Sequence, residues 1–423
     1  MLRHYLLLSL KVLLRRKFFT FISIVGISLT LLVLLIVTAR IDHSLAPMAP
    51  ETKQDLTLVS ARAVLYGENN EGSNRWCCGG GFTLYDKYAR NLPGVAALSI
   101  FSTYRPVFSY VDGRKIESQL KRTDAEFWNI LDFTFLEGRP YTAAEVDAAD
   151  FVAVINRATR ERIFGDGAAI GRSLDADGRR FRVVGVVENV SMTRSVPFAD
   201  IWTPYTTARS NAWRTGLMGD FDAMVLATDA GALPEIRETF NARLAGISRS
   251  EFPMPDAYET LVAPFETKFQ ALARDAGLLA DRASPEPQGW RVVMVFAVLA
   301  LLFVLLPTLN LININISRIM ERASEIGIRK AFGASSRTLV GQFIVENIIL
   351  TIAGGLVGLL LAVFVLRAIN TSGIIPYAHL TVNWRVFLYG LALAAIFGVI
   401  SGVYPAWRMS RLQPADALAG GRR

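Results

Sequence analysis

Little in this sequence of 423 residues is placed for covalent chemistry. Its two cysteines are adjacent, Cys77 and Cys78, in the stretch R-W-C-C-G-G-G-F at 75–82. Neighbouring Cα atoms are about 3.8 Å apart across a trans peptide, so a bridge between them would be strained and easily reduced. The other readings are a bridge to another chain, a thiolate metal site, or two buried or free thiols beside a flexible glycine loop; the last weighs most. The three histidines, His4, His43 and His379, lie far apart in the sequence, and no HExxH, GxSxG or GxxxxGK[ST] pattern occurs. A zinc site, a serine hydrolase and a P-loop are therefore not expected, and neither a metal nor a cofactor is assigned to the chain itself. One carboxylate, Glu346, falls inside a long apolar run. It serves either a proton relay or, so near the end of the run, snorkels back to the interface or caps the adjoining loop; the second role is expected.

Docking is the other chemistry on offer, and it concentrates in residues 317–337, S-R-I-M-E-R-A-S-E-I-G-I-R-K-A-F-G-A-S-S-R. Ile319, Ala323, Ile326, Ile328 and Phe332 give a short helix an apolar side, Arg322, Glu325, Arg329 and Lys330 stay polar, and Gly333 ends it. Such a segment either docks a cytosolic partner or is a basic loop that only sets topology.

The elements that hold this segment are apolar. Runs at 18–39, 292–316, 339–366 and 386–404 have membrane-spanning length. The chain is 52% hydrophobic with a mean hydropathy of +0.33, yet 19% charged. That mixture predicts a few spans plus a sizeable water-exposed domain. The net charge of +8 is not spread as in a nucleic-acid binder, for residues 40–291 hold 29 Lys/Arg against 33 Asp/Glu. The basic excess sits at 1–17, 317–338 and 405–423, which places those segments and both termini in the cytoplasm and 40–291 outside. Residues 367–385 form a short outer loop. Arg3, Lys11 and Arg15 share one face of an amphipathic helix over 1–17, and 18–39 is read as an uncleaved anchor rather than a signal peptide, although A-P-M-A-P at 46–50 offers small residues. Pro307, Asn310, Asn313 and Asn315 belong to a bundle interior or to a gating hinge, the former being expected. Gly354 and Gly358 form a small-xxx-small pair, facing a second copy or a span of the same chain.

Within 40–291 the pattern is α+β. Strands are expected at 55–64, 107–111, 115–121, 151–156, 180–187 and 223–227, with Asp112-Gly113 and Asp177-Gly178 as turns. Helices are expected at 83–91, 125–131, 157–164, 233–244 and, leading toward the second span, 258–279, although S-P-E-P at 284–287 interrupts that stalk. The fold class is thus four transmembrane helices plus an α+β extracytoplasmic domain of two lobes.

The run E-I-G-I-R-K-A-F-G-A at 325–334, followed by Gln342, Phe343 and Glu346, resembles the signature of FtsX-like and MacB-like ABC transporter permeases. L-E-G-R-P at 136–140, V-A-V-I-N at 152–156, I-F-G at 163–165, I-G-R at 170–172 and V-V-G-V-V at 183–187 resemble the family's extracytoplasmic domain, and Y-P-A-W-R at 404–408 with L-Q-P-A-D-A-L at 412–418 resembles its ending, where a proline stops the span. The resemblance implies an inner-membrane permease with a periplasmic domain whose variable lobe is inserted near 190–260. It implies a non-catalytic subunit worked by a separate cytosolic ABC ATPase that binds ATP and Mg, paired with a second permease copy or paralogue. It implies Glu325, Ile326, Gly327, Arg329, Lys330, Gly333 and Ala334 as the ATPase contact, and export of a peptide, macrolide-like or other amphiphilic substrate, with an adaptor and an outer-membrane channel as further partners. A lipoprotein-release permease, an FtsX-like regulator of a periplasmic hydrolase, and a membrane sensor or scaffold without an ATPase are the alternatives.

Overall fold

The computed structural model describes residues 17–67, 75–111, 113–165, 167–275 and 335–410, with isolated positions 13, 15, 293–295, 297–298, 301–302, 328 and 332. In chain order the elements begin with α1 (Lys17–Leu45), β1 (Thr57–Ser60), β2 (Ala63–Tyr66), β3 (Arg75–Gly80), α2 (Phe82–Tyr88), β4 (Val95–Ser102), β5 (Arg105–Val111) and β6 (Arg114–Thr123). Next come α3 (Glu126–Ile130), β7 (Phe135–Gly138), α4 (Ala143–Asp147), β8 (Val152–Asn156), α5 (Arg157–Phe164), β9 (Ser173–Ala176), β10 (Arg179–Val187) and β11 (Ile201–Pro204). The last are β12 (Met218–Gly219), β13 (Phe221–Ala227), α6 (Leu233–Ala245), β14 (Thr260–Val262), α7 (Lys268–Asp275), α8 (Ser336–Ser372) and α9 (Trp384–Ser410). They fall into two compact units, a helical one (Met1–Ser44, Met294–Ile374, His379–Arg423) and an outward one (Leu45–Val293, Ile375–Ala378).

The outward unit contains two seven-stranded sheets. The first runs β1-β13-β3-β2-β14, with β12 on β3 and β4 on β13; the second runs β5-β6-β11-β8-β10-β7, with β9 on β10. The second sheet is continuous in sequence, from Arg105 to Pro204, and interrupts the first, whose strands come from both sides of it. The second sheet thus occupies 105–204, and its strand β11 falls inside the stretch 190–260. The aromatic stretch after 190 joins the core, for Phe198 and Trp202 are fully enclosed. β8, α5 and β10 form a parallel crossover, with Arg182 opposite Val152 and Val187 opposite Asn156. This arrangement explains the buried run V-A-V-I-N: every residue of β8 is buried.

Other segments depart from expectation too. The stretch 55–64 is a single turn (Gln54–Leu56) followed by β1 and β2, which pair with different neighbours, β13 and β3. No one partner could hold an unbroken strand there. Of the glycine-rich 75–82, residues 75–80 are β3 and not a loop, and Cys77 and Cys78 lie in ladder opposite Val64 and Ala63. The expected helix 258–279 begins instead with β14, where Thr260 pairs with Tyr66, and becomes helical only at Lys268. Pro264 and the bridge between Val59 and Glu266 hold the intervening backbone extended.

Among the described residues of the helical unit, α1 and α8 contain the two segments long and apolar enough to cross a membrane, Lys17–Leu45 and Val340–Ser372; the apolar part of α9, Trp384–Ile400, is shorter. Ser335 caps α8 by accepting from the Thr338 amide at 3.2 Å, and Gly373, at φ +69°, ends it. α9 continues past Pro405 to Ser410, so that proline does not stop the helix; it removes one backbone donor.

Candidate functional sites in the helical and outward units

Packing in the helical unit turns on two glycines of α8. A Cβ on Gly354 would lie 2.8 Å from the Cβ of Ile27, and one on Gly358 would lie 2.8 Å from the Ser28 carbonyl oxygen. The pair thus receives α1 of its own chain. Beside this contact α8 buries Gln342, Glu346, Asn347 and Thr351. Asn347 donates to the Gly398 carbonyl of α9 at 3.1 Å, and Gln342 donates to the Glu346 carboxylate at 3.0 Å. Glu346 is 2% exposed, so it does not snorkel; a neighbour one turn away holds it inside the bundle. The outer faces are apolar, with Phe18, Phe21, Leu360, Phe364 and Tyr389 all exposed.

The expected coupling residues Glu325, Ile326, Gly327, Arg329, Lys330, Gly333 and Ala334 lie outside the described residues, as do 1–12, most of 292–316 with Pro307, and 411–423. Two neighbours are described. The Phe332 amide donates to the Ile328 carbonyl at 3.1 Å, one helical turn, and both side chains are exposed, Phe332 at 89%.

In the outward unit the motif residues have structural duties. Asn156 ends β8 and caps α5 by accepting from the Thr159 amide, while its Nδ2 donates to Asp200 at 2.9 Å. Gly138 and Gly185 pair across β7 and β10, and a Cβ on either would meet the opposite backbone, at 2.1 Å from the Val184 oxygen and 2.4 Å from the Arg139 oxygen. Asp177-Gly178, both at positive φ, closes the β9–β10 hairpin.

A second group of polar residues, unmarked in the sequence, gathers at 191–200. Arg194, 2% exposed, pairs with Glu51 at 2.8 Å and donates to the Ala46 carbonyl at 2.8 Å. Glu51 also pairs with Lys268 of α7. Asp200, 5% exposed, accepts from the Gln119 amide at 2.8 Å, from Asn156, and from the Tyr377 hydroxyl at 2.6 Å. Arg162 of α5 stands 3.4 Å from the same carboxylate. The Met192 amide donates to the Pro376 carbonyl at 3.2 Å. Burial, and after it the Asp200 charge, push the Tyr377 hydroxyl up to about 12. Among the described residues no three His, Cys, Asp or Glu side chains stand together as metal ligands would.

An apolar helical unit carrying a two-sheet α+β domain defines the class: a membrane protein with a large extramembrane body. Residues 20–243 match the MacB-like periplasmic core domain, and residues 296–414 match the FtsX-like permease C-terminal domain. The chain belongs to this family of ABC transporter permeases. It is 26% identical over 301 residues to the uncharacterized ABC transporter permease YvrN of Bacillus subtilis, covering 71% of this chain and 69% of YvrN. It is 25% identical over 332 residues to the macrolide export ATP-binding/permease protein MacB of Bdellovibrio bacteriovorus, covering 77% of this chain but 47% of that protein. The chain thus spans about half the length of that MacB relative. The crystal structure of the periplasmic region of MacB from Actinobacillus actinomycetemcomitans aligns over 44% of this chain and 83% of its own, with a TM-score of 0.33 and 15% identity.

Proposed function

We propose that this protein is the permease subunit of a MacB-type transporter, worked by a cytosolic ATPase on a separate polypeptide. The observation that carries the reading is the union, in one chain, of a MacB-like periplasmic core domain and an FtsX-like permease segment. In this reading four spans, 18–39, 292–316, 339–366 and 386–404, place both termini in the cytoplasm, and two permeases face two ATPases that bind the ATP and Mg. ATP-driven closure reaches the spans through Glu325, Ile326, Gly327, Arg329, Lys330, Gly333 and Ala334. Exposed Ile328 and Phe332 lie within that stretch and suit contact with a protein surface. The substrate is a peptide, a macrolide-like compound or another amphiphile handled by the periplasmic domain, a class supported by the macrolide export named for the relative from Bdellovibrio. An adaptor and an outer-membrane channel would complete the export route.

Detergent extraction from native membranes, affinity capture of the intact chain and an ATPase assay test this. A P-loop ATPase is expected to co-purify, and recovery is expected to fall at least about tenfold with R329E and K330E together, as loss of buried charge contacts at an interface would cause. Gly327→Leu should abolish transport-coupled turnover without loss of the protein from the membrane. Efficient capture with no ATPase, from membranes that contain one, would overturn the reading.

A further inference from the structure

The segment 191–200, S-M-T-R-S-V-P-F-A-D, joins β10 to β11 and has no periodic pattern. Within the outward unit it nevertheless meets the chain just after α1 and again between α8 and α9, and is tied through Glu51 to α7. Arg194 grips Ala46 and Glu51, the first residues after α1. Through Glu51 it is joined to Lys268 of α7, the last described element before residue 293. Met192 and Asp200 hold Pro376 and Tyr377, which lie between α8 and α9 in the chain. Residues Ile375–Ala378 belong to the outward unit, although the residues on either side of them belong to the helical one.

We propose that 191–200 is a mechanical hub of the outward domain, and that Tyr377 is its latch on the loop between α8 and α9. Tyr377 is a positioning residue held in a left-handed conformation, φ +57°, which a bulky side chain adopts only where its surroundings over-determine it. Here they do so: its hydroxyl donates to a buried carboxylate and accepts from Arg162 at 3.3 Å, and its ring packs beside Phe198. The Asp200 carboxylate accepts from framework donors at both oxygens, so the cluster fastens the chain. Movement of the α8–α9 hairpin must therefore either carry the outward domain with it or break this contact. The proposal rests on the coupled-permease reading for its role in transport, and adds to it the place where the outward domain takes up the motion.

The test uses the full chain in lipid nanodiscs. Hydrogen exchange of residues 373–380 is compared between wild type, Tyr377→Phe and Tyr377→Gly; the glycine variant keeps the left-handed backbone without the ring. Asp200 keeps Asn156, Arg162 and the Gln119 amide in both variants, so the domain should fold. Exchange is expected to rise at least about tenfold in each, as loss of a hydrogen bond to a charged acceptor implies. With the partner ATPase added, ATPase recovery should be unchanged while substrate moved per ATP falls severalfold. Unchanged exchange overturns the latch. Raised exchange with an unchanged ratio of transport to ATP overturns its part in coupling. Absence of ATPase-driven transport in wild type would sink the permease reading and the coupling role with it, whereas the exchange comparison needs no ATPase and decides the latch alone.

Discussion

Lys121 ends in a place where a lysine is costly. It lies on β6, 1% exposed, with its ammonium donating to the Ser195 and Val196 carbonyls at 2.8 and 2.5 Å and standing 5.1 Å from the Phe101 ring centre. Burial drives its pKa down to about 7, against the pull of Asp222 and Glu51. Between about pH 7 and the usual value of 10.5 the unfolded chain then binds a proton that the folded chain does not. Stability rises with pH across that window and is lost as pH falls through 7. Lys121→Met should flatten the slope by up to about 1.4 kcal/mol per pH unit, read from denaturation of the outward domain between pH 7 and 10. A slope equal to that of wild type would show that the lysine is charged in the folded state throughout. Nothing in the sequence announces this site. The run K-R-T at 121–123 reads as the solvated end of a strand, yet all three residues are buried, because the strand passes between partners such as Asp177, the Ser195 carbonyl and Tyr141. The motif residues were more legible, since Asn156, Gly138 and Gly185 serve local backbone geometry that leaves a mark in the sequence.

At the scale of elements, legibility followed the distance to the partner. The β5–β6 hairpin, the β9–β10 hairpin closed by Asp177-Gly178, and the β8–α5–β10 crossover could be read because their pieces are adjacent in the chain. β3 was hidden for another reason: its main partner β2 is near in the chain, but its two glycines weaken the strand pattern. β14 could not be read because it reaches β2 across more than a hundred residues, and only that partner makes so short an apolar run into a strand. The same limit applies to Gly354 and Gly358, whose spacing gave a packing face but not the helix that fills it. The structure seats α1 there, which leads to a paired prediction. Gly358→Leu would drive a side chain into Ser28 and Leu31 and should lower the melting temperature of the detergent-solubilised protein by several degrees or abolish its accumulation. Gly341→Ala, on the same helix with nothing within 4 Å, should be neutral or slightly stabilising. Equal effects from the two would mean that α1 and α8 do not meet at this glycine pair.

For the whole molecule, the decisive feature is how the outward unit closes its cores. Its three large apolar clusters draw on residues between Leu58 and Phe265 alone. One lies under α2 and α6, where Leu84, Tyr85, Ile236 and Phe240 cover the first sheet. Another joins Phe101 and Met224 of the first sheet to Val154, Val187 and Trp202 of the second, so neither sheet has a complete core without the other. Insertion of the second sheet into the first then binds the two lobes into one folding body, because Ser102 and Phe221, at the two edges of the insertion, are themselves paired in the ladder. A fragment spanning 45–275 should accordingly fold without the apolar helices and unfold in a single cooperative transition, followed by circular dichroism and near-ultraviolet signal together. It lacks Tyr377, so the neighbourhood of Asp200 should exchange amide hydrogens faster than in the full chain while the sheets stay protected. Two separated transitions would show that the lobes are independent, and a compact fragment that binds hydrophobic dyes without a cooperative melt would show that the helical unit is needed to build the domain as well as to anchor it.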